Sequence, residues 1–227
     1  MVIALIVSGG KGLRMGSEIP KQFLPLLGVP VLQRTLETFD QVEEVDEIVL
    51  VLPDAYFDYF KSTGYVARKP LSLVPAGRER QDSVWKGLER AHEIDPESLV
   101  LIHDGVRPLV TERVIMQGID LTRKYRACAC GVHPKDTVKR IGEDGFSLET
   151  LNRSQCYLMH TPQCFFTKDI LHGHRIIREL DKSVTDDTMV YEEFYGPVFL
   201  YEDDYTNIKI TTAEDLLLAE QILRETE

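Results

Sequence analysis

Five short runs of apolar residues, rich in valine, isoleucine and leucine, recur along the first 132 residues. Each run has the length and the β-branched content of a strand that is buried on both faces. The predicted strands are Val2–Val7, Glu47–Leu52, 71–74, 99–102 and Ala127–Val132. Strands of this kind occur in parallel sheets that carry helices on both faces.

Segments with apolar residues at helical spacing separate these runs. In the first of them, Val31, Leu32, Leu36 and Phe39 recur at that spacing, and Pro30 suits the first turn of a helix. Helices are predicted over residues 30–38, 55–61, 80–91, 112–125, 167–179 and 213–224, with a short helix that ends near 195 and a strand at 198–201. Strands that alternate with helices predict an α/β fold with a mostly parallel sheet.

The helical pattern stops between residues 135 and 159. Residues 136–141 alternate, residues 142–145 form a turn, and residues 148–158 extend again, which predicts a long hairpin. A hairpin with little apolar surface is marginally stable in water unless it packs on something else. The alternative is a solvated edge hairpin whose charges prevent aggregation. We therefore predict one domain, 1–227, with 135–159 as a β-arm subdomain.

The composition narrows the class of protein. A chain of 227 residues with 43% hydrophobic residues can form the core of one α/β domain. The chain contains no run of eighteen apolar residues and no charged segment before an apolar one, so we expect a soluble, cytoplasmic protein. The net charge of −11 disfavours nucleic acid and anionic membranes as partners, so a phosphate ligand needs a local cluster of cations.

The cysteine and histidine residues do not suggest a metal or redox site. The four cysteines contain no C-x-x-C pair and no histidine at zinc-ligand spacing. Cys128 and Cys130 would point to the same face of a strand, where reduced cysteine packs as a small apolar side chain. His172 and His174 diverge on their predicted helix, so we expect them to face solvent rather than to bind a ligand.

The loop that follows the first strand carries four glycines among residues 9–16. Glycines let the backbone N–H groups approach a ligand, and Lys11, Arg14 and Lys21 add positive charge, which is chemistry suited to a polyphosphate. The loop contains neither a P-loop string nor a dinucleotide fingerprint, whose third glycine position falls on Met15. The alternative is a tight strand-to-helix turn with solvated charges.

This loop, with Pro20-Lys21-Gln22-Phe23 after it, resembles the signature of sugar-phosphate and alditol-phosphate nucleotidyltransferases. More narrowly, it is similar to the 2-C-methyl-D-erythritol 4-phosphate cytidylyltransferase family. Later segments follow in that family's order, namely residues 77–83, His103-Asp104-Gly105-Val106-Arg107-Pro108, Thr161-Pro162-Gln163 and Asn207-Ile208-Lys209. The resemblance covers nearly the whole chain and implies a Rossmann-like nucleotidyltransferase fold, with the β-arm of residues 135–159 joining two copies in a homodimer.

The resemblance also implies an activity. A phosphomonoester oxygen of 2-C-methyl-D-erythritol 4-phosphate would attack the α-phosphorus of CTP, giving CDP-methylerythritol and pyrophosphate for non-mevalonate isoprenoid biosynthesis. Fixed cations and Mg²⁺, or another divalent cation, would stabilise the charge at the transferred phosphate. Neither a covalent nucleophile nor a general base is needed, because a phosphate dianion is already nucleophilic near neutral pH.

The family's functional residues map onto this sequence in four groups. The catalytic residues would be Arg14, Lys21, Arg153 and Lys209, with Lys11 an accessory charge. The nucleotide would contact Ser8, Gly9, Gly10, Lys11, Gly12, Gly77, Ser83, Asp104 and Gly105, with the backbone around Gly77 and the Ser83 hydroxyl reading cytosine. The acceptor would contact Arg107, Thr137, Arg153, Thr161, Thr185 and Lys209. Asp104, at the carboxyl end of a strand, is the candidate metal ligand.

Several points stay open in the sequence. Arg107 could hold a phosphate or a neighbouring subunit, and Arg78 stands where relatives often carry an acidic or neutral residue. A ribitol 5-phosphate cytidylyltransferase would share the nucleotide loop and the Thr-Pro-Gln segment, although Asn152-Arg153-Ser154 and the compact chain favour methylerythritol. A nucleotide-binding regulatory protein without turnover is the alternative from another class.

Overall fold

A computed structural model describes residues 1–10 and 20–226 of the chain. The strands of this part are β1 (Val2–Val7), β2 (Pro25–Leu26), β3 (Val29–Pro30), β4 (Glu47–Leu52), β5 (Leu71–Pro75), β6 (Leu99–Asp104), β7 (Ala127–Val132), β8 (Lys139–Ile141), β9 (Ser147–Thr150), β10 (Leu158–Phe166) and β11 (Phe199–Glu202). The helices are α1 (Val31–Gln41), α2 (Phe57–Ser62), α3 (Arg80–Ile94), α4 (Glu112–Tyr125), α5 (Thr167–Glu179), α6 (Asp187–Tyr195) and α7 (Ala213–Thr226), with 3₁₀ helices at Lys21–Phe23, Asp54–Tyr56 and Arg153–Gln155.

A mixed sheet of seven strands forms the centre of this part of the chain. Its strand order is β11-β7-β10-β6-β1-β4-β5. Neighbouring strands pair in parallel, except that β10 runs antiparallel to β6 and β7. The predicted α/β fold with a mostly parallel sheet is therefore confirmed. Since β4 and β6 lie on opposite sides of β1, the strand order reverses there, and α/β sheets bind ligands at such a point.

Alternate side chains of β1 enter two different apolar cores. Ala4 and Ile6 lie in a core with α1 and α4, whereas Ile3 and Leu5 lie in a core with α3 and α5. Burying one such large aliphatic side chain stabilises the fold by about 1.5–3 kcal/mol. Helices therefore hold the sheet from both faces, as the continuous apolar strands predicted.

Most of the predicted elements are present, with small differences at their ends. All five predicted strands occur, with small extensions at Pro75 and Asp104. Pro30 precedes α1 and pairs with Pro25 in a small two-stranded sheet, so it does not lie in the first turn of the helix. Cys128 and Cys130 both lie in the core beneath α4, as their spacing predicted.

Strand β10 has no counterpart among the predicted elements. The sequence predicted that its first two residues, 158 and 159, belong to the hairpin. In the structure, Leu158 pairs with Val132 of β7 and Met159 pairs with Gly131, so this segment belongs to the central sheet. The sequence Leu-Met-His-Thr-Pro-Gln-Cys is neither continuously apolar nor alternating, and its proline cannot donate to a ladder. The register shifts between Met159 and Gln163, next to the cis Thr161–Pro162 peptide bond.

The hairpin of residues 135–159 forms its own two-stranded sheet from β8 and β9. Every residue of these two strands is exposed. Within residues 139–150, three apolar side chains are more than half exposed, namely Ile141, Phe146 and Leu148. No helix of the described residues has the length and apolar character needed to cross a membrane.

Candidate active site

A cleft of about 270 Å³ opens at the carboxyl ends of β1 and β6. Predicted site residues from distant parts of the chain line it, namely Ser8, Gly9, Gly10, Lys21, Ser83, Asp104 and Lys209. A cavity of about 330 Å³ lies beside it near α3 and α5, but it shares only Arg78 and Glu79 with the cleft. The smaller cleft is the candidate active site because the predicted residues converge there.

The described start of the glycine loop, residues 8–10, packs closely on its neighbours. A Cβ atom on Gly9 would lie 2.8 Å from the Oγ atom of Ser83, so a larger residue would displace the loop or the helix. The Nε2 atom of Gln22 donates to the carbonyl groups of Ser8 and Gly10, at 3.3 and 3.4 Å. Gln22 has no predicted role, although it lies in the Pro-Lys-Gln-Phe segment. The predicted residues Lys11, Gly12 and Arg14 lie outside the described residues.

The turn before α3 is held together by Ser83. Its hydroxyl accepts a hydrogen bond from the N–H of Gly77 and donates one to the carbonyl of Glu79, both at 3.0 Å. A Cβ atom on Gly77 would lie 2.1 Å from the Cβ of Asp82, which explains the glycine. The Ser83 hydroxyl is thus engaged within the protein, and it shapes the edge of the cleft through Gly77.

Asp104 is the negative centre of the cleft and has three cationic neighbours. Its Oδ1 lies 3.1 Å from Nε of Arg80, and its Oδ2 lies 2.8 Å from Nζ of Lys209 and 3.7 Å from Nε of Arg107. Burial alone would raise the pKa of Asp104, but the charges of Arg80, Lys209 and Arg107 outweigh it and hold the pKa well below its usual range. The carboxylate is therefore ionised, and the cluster keeps a positive excess.

Two lysines approach the cleft from separate segments of the chain. The Nζ atom of Lys21, in the first 3₁₀ helix, donates to the carbonyl of Ile210 at 2.9 Å. Ile210 follows Lys209, and its own N–H donates to the carbonyl of Val106 at 2.9 Å. These contacts place both ammonium groups at one cleft, where they can meet the charge of a polyphosphate.

Arg80 joins the cleft to the beginning of α6, a link that the sequence did not predict. Its Nη2 atom lies 2.9 Å from Oδ2 of Asp187, which is fully buried. Burial opposes the charge of the guanidinium group, yet the carboxylates of Asp187 and Asp104 outweigh it and raise the pKa of Arg80. His174 is also buried, with Nε2 3.0 Å from Oδ1 of Asp187, so the expectation that it faces solvent was wrong.

Thr161 lies beneath Asp104. Its hydroxyl accepts from the N–H of Asp104 at 3.1 Å and lies 3.0 Å from Nδ1 of His103, whose Nε2 lies 3.2 Å from the carbonyl of Arg107. Burial lowers the pKa of His103 to about 4, so the ring is neutral at pH 7. In the neutral ring with its proton on Nε2, that N–H donates to the carbonyl of Arg107, and Nδ1 accepts from the Thr161 hydroxyl. The same hydroxyl accepts from the N–H of Asp104, so all of these groups have a hydrogen-bond partner. Thr161 therefore orients the strand end that carries Asp104.

Arg107 is buried, with 8% of the residue exposed, and does not line the cleft. Its Nη1 atom donates to the carbonyl of Asn207 at 2.7 Å. Burial is the main reason that the pKa of Arg107 falls below its ordinary value. In this chain, Arg107 supports Asp104 and the segment before Lys209 from below.

Three more predicted acceptor residues, besides Arg107 and Thr161, lie away from the cleft lining. Thr137 and Arg153 are exposed on the hairpin, where Nη1 of Arg153 donates to the carbonyl of Lys135. Thr185 is exposed just before α6, and its hydroxyl contacts the sulfur of Met189 at 3.0 Å. Gly105, a predicted nucleotide contact, lies beside the end of β1, since its N–H donates to the carbonyl of Val7 at 2.9 Å, and it does not line the cleft.

The donor set around Asp104 suits a divalent cation that is held mainly by ligand phosphates. Mg²⁺ usually binds one or two carboxylates together with substrate phosphates and water. Among the described residues no group of three or more His, Cys, Asp or Glu side chains could hold a metal by itself. Asp104 offers one ionised carboxylate at the cleft, and Lys209, with 38% of its side chain exposed, could turn from it towards a phosphate.

Comparison with known proteins identifies relatives over nearly the full chain. The family model described as 2-C-methyl-D-erythritol 4-phosphate cytidylyltransferase matches residues 2–225. A protein of that name from Clostridium botulinum (strain Okra / Type B1) is 48% identical over 226 residues, covering 97% of this chain and 96% of the relative. One from Clostridium perfringens (strain SM101 / Type A) is 43% identical over 225 residues, covering 98% and 99%.

Solved structures with similar descriptions share the fold. The 4-diphosphocytidyl-2C-methyl-D-erythritol synthase of Anaerococcus prevotii DSM 20548 superimposes with a TM-score of 0.87 at 35% identity, covering 98% of this chain and 96% of that one. The 2-C-methyl-D-erythritol 4-phosphate cytidylyltransferase of Thermus thermophilus gives a TM-score of 0.76 at 27% identity, covering 99% and 100%.

Proposed function

The chain belongs to the 2-C-methyl-D-erythritol 4-phosphate cytidylyltransferase family, and from this membership we propose how its cleft performs the reaction. The protein is a CTP-dependent nucleotidyltransferase that transfers a cytidylyl group to 2-C-methyl-D-erythritol 4-phosphate in isoprenoid precursor biosynthesis. The assignment of roles to individual residues, the metal ion and the dimer are our proposals.

The observation that carries the mechanism is that Lys21 and Lys209 line the same cleft as residues 8–10. In-line attack brings a phosphate dianion to the α-phosphate of CTP, so mutual repulsion of two anions is the main barrier. Fixed cations lower this barrier because charge on the equatorial oxygens is stabilised without reorganisation of solvent. We assign this role at the α-phosphate to Lys21 and to Arg14, with Lys11 as an accessory charge.

The nucleotide would lie along residues 8–10, with its base towards the turn at Gly77. Gly9 packs closely on Ser83, and the Ser83 hydroxyl holds the turn at Gly77 in shape, while the next residues of that turn, Arg78 and Glu79, line the cleft. Base selection would then come from backbone groups that Ser83 positions, together with any contact from the Ser83 hydroxyl itself. Arg78 also lines the cleft, but we assign it no contact.

A divalent cation such as Mg²⁺ would be held by Asp104 and by phosphate oxygens of CTP. When bound, such an ion neutralises charge on the phosphates and on the departing pyrophosphate. The contribution of the chain itself is to keep Asp104 ionised through Arg80 and Arg107 while Lys209 turns to the acceptor phosphate.

The acceptor site would be completed by a second copy of the chain. Thr137 and Arg153 lie on the hairpin rather than at the cleft of their own chain, and the hairpin exposes apolar side chains. We therefore propose that the hairpin is a dimerisation arm that places Arg153 beside the acceptor phosphate of the partner's cleft. Thr185 would contact the acceptor from the beginning of α6. The cytoplasmic location expected from the sequence stays a prediction.

Substrate choice tests the assignment directly. We expect 2-C-methyl-D-erythritol 4-phosphate to give a kcat/KM at least about tenfold above that of ribitol 5-phosphate, a difference of ~1.4 kcal/mol in transition-state binding. The measurement is pyrophosphate release with CTP, Mg²⁺ and each polyol phosphate in parallel. The reverse preference would move the protein to the ribitol enzymes, and no release with either acceptor would favour a non-catalytic nucleotide-binding protein.

A further inference from the structure

Arg80 contacts both Asp104 in the cleft and Asp187 at the beginning of α6. Its Nε atom lies 3.1 Å from Oδ1 of Asp104, and its Nη2 atom lies 2.9 Å from Oδ2 of Asp187. The two carboxylates belong to different elements, β6 and α6, and the side chain of Arg80 is 29% exposed between them. A single guanidinium group thus spans two carboxylates across the cleft wall.

The beginning of α6 is tied firmly to the sheet on its other side. The N–H of Asp187 donates to Oε1 of Gln163 on β10 at 2.9 Å, and Nε2 of Gln163 donates to Asp186 at 3.0 Å. Asp186 caps the helix by accepting from the N–H of Met189 at 3.1 Å. Asp187 is thus linked to Arg80 on one side and, through Gln163, to Asp186 on the other, so a change in its pairing with Arg80 reaches the residue next to Thr185.

Thr185, which we propose to contact the acceptor, lies two residues before Asp187. Consecutive Cα atoms are 3.8 Å apart, so the Cα atoms of Thr185 and Asp187 lie within about 8 Å of each other. Asp104 is the proposed contact of the nucleotide and its metal ion. A ligand that weakens the ion pair between Asp104 and Arg80 would change the ion pair between Arg80 and Asp187, because both carboxylates share one guanidinium group.

We propose that Arg80 is a positioning residue that couples the two substrates, so that occupation of the nucleotide site at Asp104 changes the affinity of the acceptor site at the beginning of α6. This inference rests on the proposed placement of both substrates. Coupling of this kind is reciprocal, because each ligand must change the affinity of the other by the same factor. The guanidinium shape is essential, since it offers donors in a rigid fork that can serve two carboxylates at once.

The test replaces Arg80 by lysine, which keeps the positive charge but has one nitrogen to pair with two carboxylates. Binding of 2-C-methyl-D-erythritol 4-phosphate is measured by calorimetry with Mg²⁺, in the presence and absence of an α,β-methylene analogue of CTP. For the wild type we expect the analogue to tighten acceptor binding at least about fivefold. For Arg80→Lys we expect that factor to fall below about twofold.

Arg90→Lys is the matched control, because Arg90 lies on the same helix and contacts Ser72 and Glu93 away from the cleft. It should keep the wild-type factor. Thermal melting verifies that each variant is folded, and Asp187→Asn, which removes the other end of the pair, should lose the coupling as Arg80→Lys does. Both cleft variants keeping the wild-type factor, or a wild type that binds both ligands without coupling, would overturn the inference. A wild type that binds neither ligand would reject the proposed function as well.

Discussion

Single residues at and beneath the cleft differ in how directly they can act on a ligand. Lys21 and Lys209 line the cleft, where their ammonium groups also contact the Ile210 carbonyl and Asp104. Thr161 and Arg107 do not line it, and their polar groups bond to the protein. Removing a cleft lysine should affect turnover most, whereas removing Thr161 or Arg107 should chiefly disturb the buried partners that it leaves unsatisfied.

Lys21→Ala tests the role of a cleft lysine. We expect kcat to fall by ~10²–10³ with a much smaller change in the KM for CTP, because loss of one preorganised cation costs roughly 3–4 kcal/mol of transition-state stabilisation. Steady-state kinetics with saturating acceptor measure the effect. The same loss is expected for Arg14→Ala.

Lys61→Ala is a suitable control for this measurement. Lys61 lies on α2, pairs with Asp58 and is well exposed, so its removal should leave kcat unchanged. A melting curve confirms that the Lys21→Ala variant is folded. Wild-type turnover in that variant would contradict the role proposed for Lys21.

The elements of the fold differ in how far their own sequence pattern predicts them. Helix α5 spans the predicted residues 167–179, and α1 buries the predicted face of Val31, Leu32, Leu36 and Phe39. These helices are amphipathic, so their own periodicity encodes both their extent and their buried face. Strand β10 has no comparable pattern, and its place in the sheet comes from pairing with β6 and β7.

Helix α7 offers a test of a local signal. The Oδ2 atom of Asp215 accepts from the N–H groups of Thr211 and Thr212, both at 2.8 Å, and the hydroxyl of Thr212 accepts from the N–H of Asp215 at 3.4 Å. This reciprocal capping holds the beginning of the helix, and the residues that form it lie within four positions of one another. We expect Asp215→Ala to lower the free energy of unfolding by ~1 kcal/mol at pH 7, as measured by urea denaturation.

The effect of Asp215→Ala should depend on pH. Burial would raise the pKa of Asp215, but hydrogen bonds from Thr211 and Thr212 outweigh it and hold the pKa below its usual 3.8. The folded state therefore favours the ionised form, so the stabilisation is present above about pH 4 and is lost as the pH falls through the folded pKa. The difference from wild type should shrink at about pH 2–3. Glu214→Ala, at the neighbouring position, should change stability by less than about 0.5 kcal/mol at either pH.

The whole molecule has a well-packed sheet and an exposed hairpin. Ile141 and Phe146 are 66% and 73% exposed on that hairpin, which is unusual for side chains of this size. A second chain that packed on the hairpin would remove them from water. The same contact would bring Arg153 towards the cleft of the second chain. The exposed apolar side chains and the proposed role of Arg153 therefore both favour a dimer in which the hairpin completes the acceptor site of the partner.

Subunit exchange tests whether two chains build each site. Lys21→Ala dimers and Arg153→Ala dimers should each be inactive, and mixing them should restore activity to about a quarter of wild type. Half of the dimers would then be mixed, and by two-fold symmetry each mixed dimer holds one intact site and one doubly damaged site. Pyrophosphate release measures the recovery.

Exchange itself is verified by native mass spectrometry of chains with different tags. A site made within one chain cannot be rescued, because every subunit carries one lesion. Mixed dimers without recovered turnover would therefore reject the shared site while leaving the family assignment intact.

The sequence by itself determined the apolar strands and most of the helices of this protein. Strands such as β1 are continuous apolar runs, and helices such as α5 repeat at helical spacing, so each is encoded by residues that are close in the chain. The short motifs also predicted the reaction, through their resemblance to a cytidylyltransferase family. Seven of the predicted site residues do line one cleft, because strand ends in an α/β sheet face the same edge.

Only the tertiary structure decided which polar groups are engaged with one another. The burial of His174, the pairing of Arg80 with Asp187 and the support of Asp104 by Thr161 each join residues that are far apart in sequence. These contacts depend on strand order and on how α5 and α6 pack on the sheet. A periodic pattern specifies which face of an element is buried, but the partner that a buried polar group finds there is set by the neighbouring element.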